Sequence, residues 1–221
     1  MKTQVSRPRS KNVNSKIKLI IFDAYGVCLS PGYPDTAKYL AKKYHHDAKE
    51  ISAVIYRKYF NLAALRKITQ ADAWRLAVKE LKLPIAWQKV RQIHYDLMSY
   101  NRFVLDYAKK LRQQYQILLL SKNTRSQFSD MQNNFPIFRK VFGSDMINTW
   151  EYNLPKASKE TMDFVFAKYR VRAEECVYTD DQEENLKVPK QLGVRTIFFR
   201  NNKQWIRELN KLISSPREER S

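Results

Sequence analysis

The chain has 221 residues, 43% hydrophobic and 13% aromatic, which suits one α/β domain or a modest domain carrying an inserted one. No apolar run approaches bilayer length and the N-terminus lacks the apolar stretch of a signal peptide, which leads us to expect a cytoplasmic protein with no membrane partner. Forty-one Lys and Arg against 22 Asp and Glu give a formal charge of +19, a surface that attracts small anionic substrates and polyanions alike.

That charge is spread along the chain without a nucleic-acid motif, so a basic surface is expected rather than a nucleic-acid partner. Residues 1–15, with Lys2, Arg7, Arg9 and Lys11 and no acid, lack the apolar content to fold and read as a flexible basic tail. The first β-type run is 17–22, followed by Asp23. Between it and the next run lies the interval from Cys28 to Tyr115, far beyond one crossover helix. Apolar stripes at helical spacing fill it: Tyr39, Leu40 and Tyr44, then Ile51, Val54, Ile55 and Tyr59, then Ala73, Trp74, Leu76, Ala77 and Leu81. Ser30-Pro31-Gly32 leads in, and the chain returns near Ser99-Tyr100-Asn101.

Further β-type runs follow at 116–120, 146–149, 176–179 and 194–199. Their nearly continuous apolar character marks strands buried on both faces. Helical stripes separate the later ones, such as Met162, Val165 and Tyr169, or Trp205, Leu209 and Leu212. The predicted fold is a Rossmann-like, doubly wound parallel sheet with an inserted helical cap domain. The core takes 16–30 and 100–214, the cap 31–99, and 215–221 is a tail. Cys28 and Cys176 read as reduced core thiols.

Polar residues recur where these runs end. Asp23 closes the first and precedes Gly26, one of four glycines in the chain. Ser121-Lys122-Asn123-Thr124 closes the second, a hydroxyl followed by amides entering a helix and a usable anion site. Lys156 follows Asn153-Leu154-Pro155. Asp180 and Asp181 close the fourth, an acidic pair that repels itself and favours a cation. Taken singly each could cap a helix or a turn; their recurrence at successive strand ends points to one site.

In this order, Asp23-Ala24-Tyr25-Gly26-Val27, Ser121, Pro155-Lys156 and Asp180-Asp181 with Asn185 resemble the four motifs of the haloacid dehalogenase-like hydrolases, and the helical insertion resembles the cap of their first subfamily. The resemblance implies that Asp23 is a nucleophile forming an aspartyl-phosphate. It implies Mg2+ held by Asp181, Asp23 and the Tyr25 carbonyl, with Asp180 as a second or outer ligand. Ser121 and Lys156 would hold the transferring group, with Lys122 and Asn123 beside them.

The resemblance has two departures. Phosphatases of this kind commonly carry a second aspartate two residues after the nucleophile, where this chain has Tyr25. Asp-Ala-Tyr-Gly is instead similar to the 2-haloacid dehalogenases, which use no metal. Those lack the paired acids, so a magnesium-dependent phosphatase acting on a small phosphorylated metabolite is expected over a dehalogenase. A catalytically weak binding protein is a third reading. His45, His46 and His94 read as surface histidines, and Trp74, Trp87, Trp150 and Trp205 as helix packing.

Overall fold

In the computed structural model, which describes residues 16–214, strand β1 (Leu19–Asp23) is buried along its whole length. The expected tails at 1–15 and 215–221 lie outside the described residues. Strands β2 (Gln116–Ser121), β3 (Met146–Asn148), β4 (Cys176–Asp180) and β5 (Arg195–Phe198) complete a parallel sheet in the order β3-β2-β1-β4-β5. The third run is shorter than expected, because at Thr149 the chain turns into a 3-10 turn, Thr149–Tyr152.

The helices are α1 (Tyr33–Tyr44), α2 (Ala48–Ser52), α3 (Asn61–Ala64), α4 (Gln70–Glu80) and α5 (Trp87–Leu97) in the insertion. Outside it come α6 (Arg102–Leu111), α7 (Arg125–Asn134), α8 (Ile137–Phe142), α9 (Lys159–Tyr169), α10 (Glu183–Gln191) and α11 (Asn202–Ile213). A π-helical stretch, Ala53–Phe60, joins α2 to α3. None of these helices is long and apolar enough to cross a membrane.

Alternate residues of each strand face opposite ways. Ile20, Phe22, Ile117 and Leu119 pack with α6, α8 and α11 through Leu105, Phe142 and Trp205. Leu19, Ile21, Leu118 and Leu120 pack on the other face with α9 and α10, through Met162, Val165 and Leu186. Both free cysteines are buried in these layers.

The connectivity fixes where a site can form. From β1 the chain builds outward through β2 and β3, then crosses to the other side for β4 and β5. The crevice at such a reversal lies beyond the C-terminal ends of β1 and β4, where ligands of open α/β sheets bind.

The inserted helices carry their own apolar cluster, with Leu40, Ile51, Ile55, Trp74, Ala77 and Val90 buried in it. The two connections to the sheet run side by side. Ser30 N donates to Ser99 O at 2.8 Å, Asn101 N donates to Cys28 O at 2.8 Å, and Leu29 bridges Tyr100.

His94 departs from its sequence reading. It lies on the buried face of α5, one turn beyond Val90, and is 1% exposed. The Thr36 hydroxyl donates to Gly32 O at 2.8 Å and lies 3.0 Å from His94 Nδ1. With the hydroxyl's one hydrogen on Gly32 O, the tautomer that completes the contact carries its proton on Nδ1. Burial lowers the His94 pKa to about 3, which keeps the ring neutral.

Candidate active site

Asp23 and Asp180 are the last residues of two neighbouring parallel strands, so their carboxylates share the crevice. Lys156, at the turn before α9, reaches between them. Its Nζ lies 2.5 Å from Asp23 Oδ1 and 2.9 Å from Asp180 Oδ2. Asp181 completes the cluster, and ligand oxygens of Asp23, Asp180 and Asp181 lie within 4.8 Å of one another. Its carboxylate rests over Gly26, whose φ of 91° is a left-handed conformation that glycine adopts without strain.

Three carboxylates share one ammonium, and the electrostatics follow from that ratio. Burial raises the Asp23 pKa to about 8; Lys156 opposes the shift, while Asp180 and Asp181 add to it. Burial works against the Lys156 charge, but Asp23 and Asp180 outweigh it and hold its pKa above the usual value. Burial, then Asp180, pushes Asp181 upward too.

The acidic pair divides its roles. Protein donors occupy both oxygens of Asp180: Tyr178 OH at 2.5 Å and Lys156 on Oδ2, Gln182 N at 2.9 Å and Asn185 Nδ2 at 3.0 Å on Oδ1. Asp180 is therefore placed to hold Lys156. By contrast, Asp23 Oδ2 and Asp181 Oδ1 are buried and have no hydrogen-bond partner. Buried carboxyl oxygens left without partners are costly, and a hard cation meets that need. The donor set fits a hard divalent cation such as magnesium, which the Asp23, Asp180 and Asp181 cluster could hold, with the unpartnered oxygens on Asp23 and Asp181.

At the end of β2, Ser121 is 1% exposed and its Oγ accepts from Asn123 Nδ2 at 2.6 Å. Because Oγ already accepts, its hydrogen remains free to donate. Asn123 thus positions Ser121. Asn148, at the end of β3, clamps the Asn123 backbone: its Oδ1 accepts from Asn123 N at 2.9 Å, and its Nδ2 donates to Asn123 O at 2.8 Å. That amide, expected to face an anion, is consumed inside the protein. Lys122 is exposed and faces a separate cleft. Neither Asn148 nor Tyr178 stood out in the sequence, although each is a polar group at or near a strand end.

The Tyr25 hydroxyl is buried without a hydrogen bond. Burial, then the nearby Asp130, raises its pKa. Around it the insertion meets α7: Gln127 Nε2 donates to Tyr33 OH at 2.6 Å, and Tyr95 OH donates to Asp130 Oδ2 at 3.0 Å. Arg91 also pairs with Asp130, with Nε at 2.9 Å from Oδ2, and Thr124 Oγ1 donates to Gln70 Oε1 at 2.6 Å.

No known family profile matches the sequence, and no curated protein matches it. Solved structures do resemble the fold. A haloacid dehalogenase-family enzyme from Bacteroides thetaiotaomicron, crystallised with magnesium and inorganic phosphate, is 19% identical; the match has a TM-score of 0.67 and covers 86% of this chain and 97% of that one. A predicted haloacid dehalogenase-like hydrolase from Porphyromonas gingivalis is 19% identical, with a TM-score of 0.69 over 91% of this chain and all of that one. A dehalogenase solved with an intermediate is 13% identical, with a TM-score of 0.66 over 91% of this chain and 99% of that one. The chain has the fold of the haloacid dehalogenase-like enzymes.

Proposed function

We propose that the protein is a magnesium-dependent phosphohydrolase of the haloacid dehalogenase-like kind, acting through an aspartyl-phosphate on a small phosphorylated metabolite. The charge balance of the crevice carries this reading. Three carboxylates face one ammonium, and Asp23 and Asp181 each keep a buried oxygen without a donor. A metal-free dehalogenase has no use for that excess of negative charge, whereas a cation site requires it.

Asp23 and Asp181, with the Tyr25 carbonyl, would hold the magnesium. Bound there, it would offset the charge of the phosphoryl group and help orient it. The chain's own residues supply the remaining steps. An Asp23 carboxylate oxygen attacks phosphorus while the bond from phosphorus to the leaving oxygen breaks, its electron pair departing with that oxygen. Lys156 favours the ionised form of Asp23 against its burial, a bound cation would add to that, and Lys156 faces the charge that builds on the phosphoryl oxygens. The free hydroxyl hydrogen of Ser121 can donate to one of those oxygens. Water then attacks phosphorus, loses a proton to solvent and releases phosphate, which restores the Asp23 carboxylate.

The test is hydrolysis of acetyl phosphate and 4-nitrophenyl phosphate, with magnesium and with excess chelator. Turnover should require the metal and vanish in Asp23→Asn. Full turnover in chelator sinks the metal site. Metal-independent halide release from 2-chloropropionate, lost in Asp23→Asn, establishes dehalogenation instead.

A further inference from the structure

Beside the active site, the loop that follows α3 meets the turn at 149–155 around a cleft of about 190 Å3. Arg66, Lys122, Trp150 and Pro155 are among its lining residues. Arg66 is fixed by its surroundings. Its guanidinium lies 4.0 Å over the Trp150 ring and donates one N–H to the Trp150 carbonyl. Stacking uses a face of the guanidinium, and a guanidinium has five N–H groups, so other edge donors stay available.

Neither Arg66 nor Lys122 forms a salt bridge among the described residues. Glu151, next to Trp150 in the chain, is already taken by Arg125 at 2.6 and 2.9 Å. The cleft therefore presents two uncompensated positive charges. Its position relative to the chemistry is set by the backbone. Lys122 directly follows Ser121, and Pro155 directly precedes Lys156, so each lies about 3.8 Å along the Cα trace from a phosphate-holding residue. At about 190 Å3 the cleft is smaller than the roughly 300–1,000 Å3 of a drug-sized ligand site, which suits one small charged group and not a nucleotide base.

We infer that this cleft receives a second anionic group of the substrate, making the substrate class small phosphates that also carry a carboxylate or a second phosphate. The inference rests on the phosphohydrolase reading for the first phosphate. Arg66 and Lys122 then act as specificity residues, one contributed by the loop after α3 and the other by the end of β2.

Binding of non-hydrolysable probes tests this without relying on turnover. Propylphosphonate, 3-phosphonopropionate and propane-1,3-bisphosphonate would be titrated by calorimetry into the full chain with magnesium. The better of the two doubly charged probes should bind at least about tenfold tighter than propylphosphonate, a preference that fades with salt. Which of the two is better distinguishes a carboxylate from a phosphate. Arg66→Gln and Lys122→Gln should each reduce the preference and the double variant should abolish it, while Lys89→Gln, on an exposed face of α5, should leave it intact. Equal binding of all three probes by the unmodified protein overturns the inference, as does a preference that survives in a correctly folded double variant. A preference without any phosphate hydrolysis keeps the anion cleft and rejects the phosphohydrolase reading instead.

Discussion

The Asp181 carboxylate fills the space that any side chain at position 26 would need: a Cβ on Gly26 would lie 1.9 Å from Asp181 Oδ2 and 2.2 Å from its Cγ. The glycine therefore makes room for a candidate metal ligand besides serving the turn. Gly26→Ala should displace Asp181, and the left-handed φ of 91° adds strain. Magnesium affinity measured by calorimetry should fall at least about tenfold, a loss of roughly 1.4 kcal/mol. Unchanged affinity would show that Asp181 is not needed where it sits.

Asp23 should destabilise the metal-free protein as pH rises. Its pKa in the folded chain is raised to about 8, well above that of an unfolded aspartate, so the folded state holds its proton longer. The associated stability is present below about pH 4 and is lost as pH climbs toward 8. In chelator at pH 8, Asp23→Asn should therefore melt above the unmodified protein, and the gap should close as pH falls. Magnesium should also close it. A variant that melts lower at pH 8 would mean that Lys156 compensates Asp23 fully.

Tyr25 stands where a proton donor would be useful, yet its hydroxyl is buried, unpartnered and raised in pKa. Acid catalysis contributes roughly a hundred- to ten-thousandfold where it operates. Tyr25→Phe should accordingly cost less than about threefold in turnover of 4-nitrophenyl phosphate. The unmodified enzyme should strongly prefer acyl and nitrophenyl phosphates over alkyl phosphates, whose oxygen departs poorly without a proton. A hundredfold loss in Tyr25→Phe would identify the tyrosine as the donor.

His94 predicts an acid limit to stability. Its pKa is lowered to about 3 by burial, so an unfolded chain takes up a proton below pH 6.5 that the folded chain refuses. This contribution is present above pH 6.5 and is lost as pH falls toward 3, at up to about 1.4 kcal/mol per pH unit. Denaturant titrations at pH 7 and 5 should show His94→Gln losing less stability across the interval than the unmodified protein. Equal losses would show that His94 is protonated within the fold.

Much of the architecture was legible in the residues themselves. Uninterrupted apolar runs such as 19–22 and 117–120 are satisfied between two helical layers, and parallel strands bring every C-terminal end to one edge. Asp23, Ser121 and Asp180, each the last residue of its strand, therefore had to share that edge wherever the helices lay. The interval before β2 was too long for one crossover, which exposed the helical insertion.

Layering, the shared edge and the roster of charged groups on it were therefore readable from the residues in order. Which oxygen is spoken for depended on contacts between distant parts of the chain. Composition and period do not tell Asp180 from Asp181, which only the resemblance ranked, but Tyr178, Lys156, Gln182 and Asn185 converge on the first and leave Asp181 Oδ1 without a partner. The same holds for His94, buried by Thr36 at a separation of 58 residues, and for Arg66, held on Trp150 at a separation of 84. Hydrophobic period is a local property that the chain carries with it, whereas hydrogen-bond partners and burial depend on which distant side chains the packed layers bring within reach.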